Sequence, residues 1–417
     1  VPQQSAAPSR GVARGGVALA AALAVANLCG YAFNVGATRL LGPSAYGALG
    51  ALLGLVLIFN VVALGLQAVV ARRLAVEEPA QRPITAGALA RGGLAVSALV
   101  GAVAIGVAPL VERWLHLDSL VPALLLGVAM VPLTVFGVVQ GILQGSERFV
   151  ALGGIYVVAA LGKVGGGLVG VLVDRSVTAA MLGLCLGSVT AAAVSWLWLR
   201  PSIGHSGGAG LVGESLHATH AFLALFVLTN VDVLFARHYL EPRAAGLYAA
   251  GAVIAKGAFW LPQFVPVLAF PRMADATQHG MVLRRSLAVV MGAGLVVTLV
   301  CLFLGDLVVA AIGGSRYAAL SGDAWWFAAL GACFACAQLL LYGRLAAQDR
   351  FAAASVWTAA AIFAIAVAAG RHDSLLDIVS TGVVCAALLV VTGIAAQLLR
   401  DRRTQPPAHV LAQPTQL

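Results

Sequence analysis

The sequence predicts an all-α polytopic membrane protein, with about twelve transmembrane helices in two parallel-repeat six-helix bundles around a central cleft. Three observations lead there. Of the 417 residues, 61% are hydrophobic and 10% charged, with a mean hydropathy of +0.97, whereas soluble domains carry about 25% charged residues. Apolar runs of about 20 residues, long enough to cross ~30 Å of hydrocarbon, recur along the whole chain. Finally, the stretch 37–75 returns as 236–274, an offset of 199, with Leu41, Pro43, Gly47 and Arg73 falling on Leu240, Pro242, Gly246 and Arg272. A second echo sets Gly141, Arg148 and Phe149 on Gly343, Arg350 and Phe351. Such register marks an internal repeat, and duplication inside a membrane protein points first to a transporter.

The apolar runs place helices near 15–37, 46–71, 89–111, 119–144, 149–172 and 177–199, then near 216–238, 245–271, 287–311, 323–346, 351–370 and 375–399. The first run follows Arg10 and Arg14 and ends near Cys29, as a secretory or lipoprotein signal would. Leu28 stands where cleavage requires a small residue, and eleven more apolar runs follow, so this run reads as helix one. The many glycines suit close helix contacts in a bilayer.

Alternating the loops across the membrane puts sixteen arginines on the face shared by both termini and seven on the other. The positive-inside rule makes the richer face cytoplasmic. Six helices per half is an even number, so the halves share one orientation and an axis along the membrane normal relates them. The expected organisation is a first bundle over 1–199, a Gly- and Ser-rich cytoplasmic linker over 200–215, a second bundle over 216–399 and a disordered cytoplasmic tail over 400–417.

Several classes are disfavoured. The arginines separating apolar runs act as topology signals, so the net charge of +9 does not imply nucleic acid. All six cysteines fall inside apolar segments, and Cys333-x-x-Cys336 reads as a packing pair and not as a redox or metal motif. No loop can hold a catalytic domain, and no paired carboxylates, nucleophile elbow or phosphate-cradling glycine loop occurs. Neither an enzymatic activity nor a cofactor nor a metal is expected.

The candidate site rests on charges inside helices. The chain has only two lysines, Lys163 and Lys256, and both lie within apolar runs, one in each half. A charge at the bilayer centre costs about 2.5–3.5 kcal/mol on insertion scales, so it usually faces a wet cavity or a partner. Counted from the outer ends of their runs, Lys163 lies at ~14 Å and Lys256 at ~16 Å. Facing one another across the cleft they would bind a bulky anion; snorkelling or an uncharged buried state is the alternative. Asp232, within the seventh run, is a candidate for carrying a coupling ion or proton, or for a gating salt bridge with Arg237. At the repeat offset it falls on Phe33. Asn34, Asn60 and Gln263 are candidate cleft-lining residues, although polar side chains in membrane helices also hold helices together. Pro262 and Pro266 permit a bend beyond Lys256, and Gln263, seven residues after Lys256, shares its face on a continuous helix.

At these residues the sequence resembles the polysaccharide-biosynthesis branch of the multidrug/oligosaccharidyl-lipid/polysaccharide flippase superfamily, the Wzx-type flippases. The likeness is carried by RLLGPSAYGALGAL with its exit VVARRLA, by QGILQGSERF, and by NVDVLFARHYLEPRAAGLYAAG followed by FPRMA. Asp232 and the two Leu-x-Pro-x-x-x-Gly turns match the family pattern, while the lysines fit only its general cationic cavity. The resemblance implies a flippase that moves a polyprenyl-diphosphate-linked oligosaccharide by alternating access in a bacterial plasma membrane. Its partners would be the lipid-linked glycan, membrane lipids and glycosyltransferases or a polymerase of the same pathway. A cation-coupled drug exporter of the same fold is the alternative, for which intramembrane acids would be expected; a scaffold for glycan-assembly enzymes would need no cavity charge.

Overall fold

The computed structural model describes residues 10–200, 211–273, 279–347, 349 and 351–404. Most of the expected linker (201–210), most of the expected tail (405–417), and Ala274 and Arg350 of the repeat lie outside the described residues. The helices are α1 (Arg10–Leu41), α2 (Pro43–Ala75), α3 (Arg82–Gly106), α4 (Ala108–Trp114), α5 (Val121–Gly145), α6 (Phe149–Val173), α7 (Val177–Leu199) and α8 (Leu211–Leu228). They continue as α9 (Val231–Tyr239), α10 (Pro242–Trp260), α11 (Phe264–Met273), α12 (His279–Phe303), α13 (Gly305–Gly313), a 3₁₀ stretch (Gly314–Asp323), α14 (Ala324–Ala346), α15 (Ala352–Ala368) and α16 (Leu375–Thr404). No strand occurs among the described residues. Among them, eleven helical segments are long and apolar enough to span a bilayer, and Ala352–Ala368 is a shorter twelfth. The chain is an all-α multi-pass membrane protein.

Local chemistry explains the boundaries. Between α1 and α2 the chain turns at Gly42, whose φ of 77° suits glycine, and Pro43 then opens α2 where a missing N–H costs nothing. Ser176 caps α7, its hydroxyl accepting from the Ala179 N–H at 3.1 Å. Four expected helices are shifted or broken. The third begins earlier, at Arg82, and is followed by the short α4. The ninth ends at Phe303 and is followed by α13. The seventh breaks at Thr229–Asn230 without glycine or proline. There Thr229 Oγ1 donates to the Leu225 carbonyl at 2.9 Å and Asn230 Nδ2 to the Phe226 carbonyl at 2.9 Å, while the Asn230 N–H turns to the Val227 carbonyl, three residues back, at 3.1 Å. The eighth breaks over 261–263, at Pro262.

The Cα packing divides the chain into two units. Unit 1 comprises Val1–Val253 and Leu307–Ala319; unit 2 comprises Ile254–Asp306 and Leu320–Leu417. In unit 1, α6 packs between α1 and α7, and α5 packs against α2, α3 and α7. Small residues set these distances: a Cβ on Gly137, Gly141 or Gly145 of α5 would lie 2.5–2.7 Å from the carbonyl oxygens of Ala63, Gln67 or Ala71 on α2. Apolar clusters fill the gaps, one around Leu66, Val70, Leu89 and Ile142, another around Val139, Leu152 and Ile155. In unit 2, α14 is central and packs against α11, α12, α15 and α16. Below, distal denotes the end of unit 1 at which α1 turns into α2, and proximal the opposite end.

Candidate functional site

Lys163 sits on α6 of unit 1, half-buried, one residue after Gly162. That glycine stripe touches α7, since a Cβ on Gly187 would lie 3.1 Å from the Lys163 backbone nitrogen. Tyr156, seven residues earlier and therefore on the same face of α6, has its hydroxyl 3.4 Å from Gln67 Nε2 of α2. Lys163 thus lies on the face of α6 that carries Tyr156. Lys256 lies on α10 in unit 2 and is also half-buried. Counted on the observed helices, Lys163 is ten residues from Val173 and Lys256 fourteen from Pro242, about 15 Å and about 21 Å along their axes. The near-equal depths expected from the apolar runs separate because α10 starts three residues earlier than its run.

Asp232, in the first turn of α9, is 3% exposed, and the hydroxyl of the fully buried Tyr248 on α10 donates to its Oδ2 at 3.0 Å. The same arrangement occurs between α1 and α2, where the buried Tyr46 donates to Asn34 Oδ1 at 2.9 Å. The two bonds are alike in kind but are not repeat-equivalent: Asn34 and Asp232 are 198 apart and Tyr46 and Tyr248 are 202 apart, against the repeat offset of 199. Asn34 also donates to the Gly30 carbonyl at 2.8 Å, so its amide is engaged in helix packing. Arg237 is 7% exposed and donates from Nε to the Leu115 carbonyl at 2.9 Å and from Nη2 to the His116 carbonyl at 2.8 Å. Asn230, before Asp232, is 2% exposed, and its Oδ1 has no hydrogen-bond partner among the described residues.

Gln263 lies in the turn between α10 and α11, so a shared helical face with Lys256 does not hold: the break at Pro262 interrupts the periodicity on which it depended. Its amide instead donates to Gln338 Oε1 of α14 at 2.7 Å, and Gln338 donates to the Tyr342 hydroxyl at 2.9 Å. Pro262 and Pro266 are both buried, the first within the turn and the second in the first turn of α11. Unit 1 contains a matching node: Gln67 of α2 donates to Gln144 Oε1 of α5 at 2.8 Å and approaches the Tyr156 hydroxyl. Asn60, half-buried on α2, lies seven residues before Gln67 and on its face. Sequence reading passed over Tyr46, Tyr248, Gln144, Tyr156, Gln338 and Tyr342. Only the near-repeat spacing of Tyr46 and Tyr248 signalled any of them. No group of three His, Cys, Asp or Glu side chains among the described residues is arranged to hold a metal ion.

The family profile described as polysaccharide biosynthesis protein matches residues 12–277. No curated protein sequence matches the chain. Among solved structures, the fold is similar to the lipid II flippase MurJ in an inward closed conformation, with a TM-score of 0.74, 10% identity, and coverage of 94% of this chain and 88% of that one. It is also similar to an inward-facing multidrug resistance MATE family transporter of the MOP superfamily, with a TM-score of 0.72, 12% identity, and coverage of 90% and 96%. A MOP superfamily transporter from Pyrococcus furiosus aligns with a TM-score of 0.59, 13% identity, and coverage of 93% and 95%. At these identities the likeness establishes the fold.

Proposed function

The chain belongs to the polysaccharide biosynthesis protein family, and from that premise we propose that it is a flippase moving a polyprenyl-diphosphate-linked oligosaccharide across the membrane by alternating access. The observation that carries the reading is that the chain's only two lysines sit within apolar membrane helices of a protein from this family. Family and fold both favour transport over catalysis. In this reading Lys163 and Lys256 hold the diphosphate, the glycan occupies water between two six-helix halves, and the prenyl tail stays in lipid. The halves are 1–199 and 216–399, joined by 200–215. Asn60 and Gln263 contribute polar contacts to the glycan, while Asn34 supports the site through its hydrogen bond with Tyr46. Asp232 carries the coupling ion or proton, Arg237 acts in gating, and the break at Pro262 with Pro266 lets α10 and α11 bend. The protein resides in a bacterial plasma membrane with both termini cytoplasmic, alongside glycosyltransferases or a polymerase of its pathway.

The test is export of the lipid-linked glycan by cells carrying Lys163→Met, Lys256→Met or both at equal protein levels. Methionine keeps an apolar stem and deletes the charge, so insertion should persist while export falls. Arginine should rescue in part by binding phosphate through its guanidinium. Full export by the double variant would reduce both lysines to structural residues. Orientation is checked separately: a cysteine at Glu214 should react with an impermeant reagent only from the cytoplasmic side, and one at Arg243 only from outside.

A further inference from the structure

We propose that the proximal end of the hairpin formed by α6 and α7 is a binding site for an anionic phospholipid, whose phosphate is held by Arg148 and Arg200 and whose acyl chain enters the cleft beside Trp198. The proposal needs only that the chain spans a bilayer. It does not rest on the flippase reading.

Arg148 immediately precedes α6 and Arg200 immediately follows α7, helices of 25 and 23 residues. About 20 residues cross the hydrocarbon, so both arginines stand at the level of the lipid headgroups. Between the helices lies a cleft with apolar walls of Leu143, Ala151, Ile155 and Leu199, bordered by the exposed Arg148 and Trp198. Residues 151 and 155 on α6, and 195, 198 and 199 on α7, follow at helical spacing and so face the cleft together. Trp198 lies against α6 because Gly154 has no side chain: a Cβ there would come within 3.1 Å of the indole. Ser195 completes the lining, yet its buried hydroxyl already donates to the Ala191 carbonyl at 2.7 Å. Such a cleft accepts hydrocarbon and offers little to a sugar.

The charge at this corner is not met by protein. Among the described residues no ion pair reaches Arg148. Arg200 Nε donates to the Leu197 carbonyl of its own helix at 3.2 Å, a bond that leaves its charge uncompensated. With the exposed Glu147 counted, the two arginines leave one positive charge in excess. A guanidinium binds phosphate oxygens in pairs, and basic pockets between membrane helices take anionic headgroups. A zwitterionic lipid would set its own cation against the arginines. Below the cleft, the exposed Val150, Leu161, Val194 and Leu197 extend an apolar surface along the same two helices, a track for the acyl chains into the bilayer. Arginines at the ends of spans also serve as topology signals, but that role needs neither a cleft nor a particular lipid.

The probe is phosphatidylglycerol with brominated acyl chains, which quench a tryptophan they touch, compared with equally brominated phosphatidylcholine. Each is titrated into phosphatidylcholine vesicles that hold the full chain, and subtracting the signal of Trp198→Phe isolates Trp198. Half-quenching should come at a phosphatidylglycerol fraction about fivefold below that of phosphatidylcholine, the preference expected of one net arginine at the headgroup level. Arg148→Gln combined with Arg200→Gln should bring the two curves together. Excess inorganic phosphate should leave the quenching unchanged, because the acyl chain holds the lipid in the cleft. Three results would overturn the site: equal curves in the wild type, a preference that survives both substitutions, or displacement of the lipid by phosphate, which would mean a site for a free anion only. Should Trp198→Phe disturb folding, native mass spectrometry of detergent-solubilised protein reads retained phosphatidylglycerol directly. The wild type should retain it and the double arginine variant should lose it, and equal retention by the two would also sink the proposal.

Discussion

Gly47 and Gly246, one repeat offset apart, touch each other. A Cβ on Gly47 would lie 2.8 Å from the Gly246 backbone nitrogen, and one on Gly246 would run into the Pro43 carbonyl. Equivalent residues of a repeat can meet only where the two-fold relating them passes close by, so a local pseudo-two-fold runs between the distal ends of α2 and α10. The Leu-x-Pro-x-x-x-Gly turns explain why the residues are glycines. Each turn starts its helix at a proline and, one turn later, presents a position without a side chain to the other copy.

Gly246→Ala should therefore be costly although alanine is the better helix former. The added methyl meets backbone that cannot rotate away, and overpacking of this kind costs about 1–3 kcal/mol. Gly292→Ala on α12, where a Cβ meets nothing within 4 Å, should be neutral or stabilising by up to about 1 kcal/mol. Thermal unfolding of the purified variants in detergent compares them. Equal midpoints would mean that the α2–α10 contact contributes nothing to the folded state.

Glu214 at the start of α8 is clamped by Arg73 and Arg72 at the end of α2, with Arg72 Nη2 at 3.1 Å. The Arg73 hydrogen bond, aided by the charges of both arginines, holds the Glu214 carboxyl below its ordinary value of 4.5. A depressed folded value means that the unfolded chain binds the proton more readily. The stabilisation is then complete above the ordinary value and is lost as pH falls through the folded one. The unfolding midpoint of the wild type should drop on acidification below about pH 5, and Glu214→Gln should flatten that part of the profile. An unchanged acid slope in the variant would remove the clamp from the account of stability.

The helices were legible because a bilayer demands long apolar runs, and Gly42–Pro43 announced its turn through backbone chemistry, whereas Pro262 signalled only a bend where the structure has a break. The break at Thr229–Asn230 was not legible: threonine and asparagine also occur within helices, and Asn34 and Thr38 bond to the carbonyls four residues back inside the unbroken α1 just as Thr229 and Asn230 do here. Lys163, Lys256 and Asp232 stood out because charge is rare in such helices. Tyr46 and Tyr248 did not, since a tyrosine in an apolar run looks like packing until its hydroxyl is placed on Asn34 or Asp232. The pairing of Gln263 with Lys256 failed for a related reason, because it assumed a continuous helix through Pro262.

The Gln263–Gln338 bond can be isolated by a double-mutant cycle. Gln263→Leu leaves the buried Gln338 Oε1 without this donor, and Gln338→Leu strands the Gln263 amide and removes the donor to Tyr342. Each single change should cost about 1–3 kcal/mol, because an unsatisfied buried group bears its full desolvation penalty. Changing both removes the mismatch, so the double variant should be more stable than the sum of the singles predicts, with a coupling of about 0.5–1.5 kcal/mol. Additive losses on reversible unfolding in detergent would show that the two amides do not act as a pair.

Asp232→Asn separates charge from structure at the buried acid of α9. Tyr248 donates to Asp232 Oδ2, and an asparagine carbonyl can accept the same bond, as Asn34 does from Tyr46 in the other copy. The Tyr46–Asn34 bond shows that a neutral tyrosine–asparagine pair can pack between helices of this chain. The variant should fold with an unfolding midpoint close to the wild type's, while Tyr248→Phe, which removes the donor beneath a buried acceptor, should cost about 1–3 kcal/mol. If Asp232 carries the coupling ion or proton, Asp232→Asn should abolish the dependence of glycan export on the ion or proton gradient and leave only slow, gradient-independent movement. Export by Asp232→Asn that still responds fully to the gradient would reduce the carboxylate to a packing partner of Tyr248 and place coupling elsewhere in the chain.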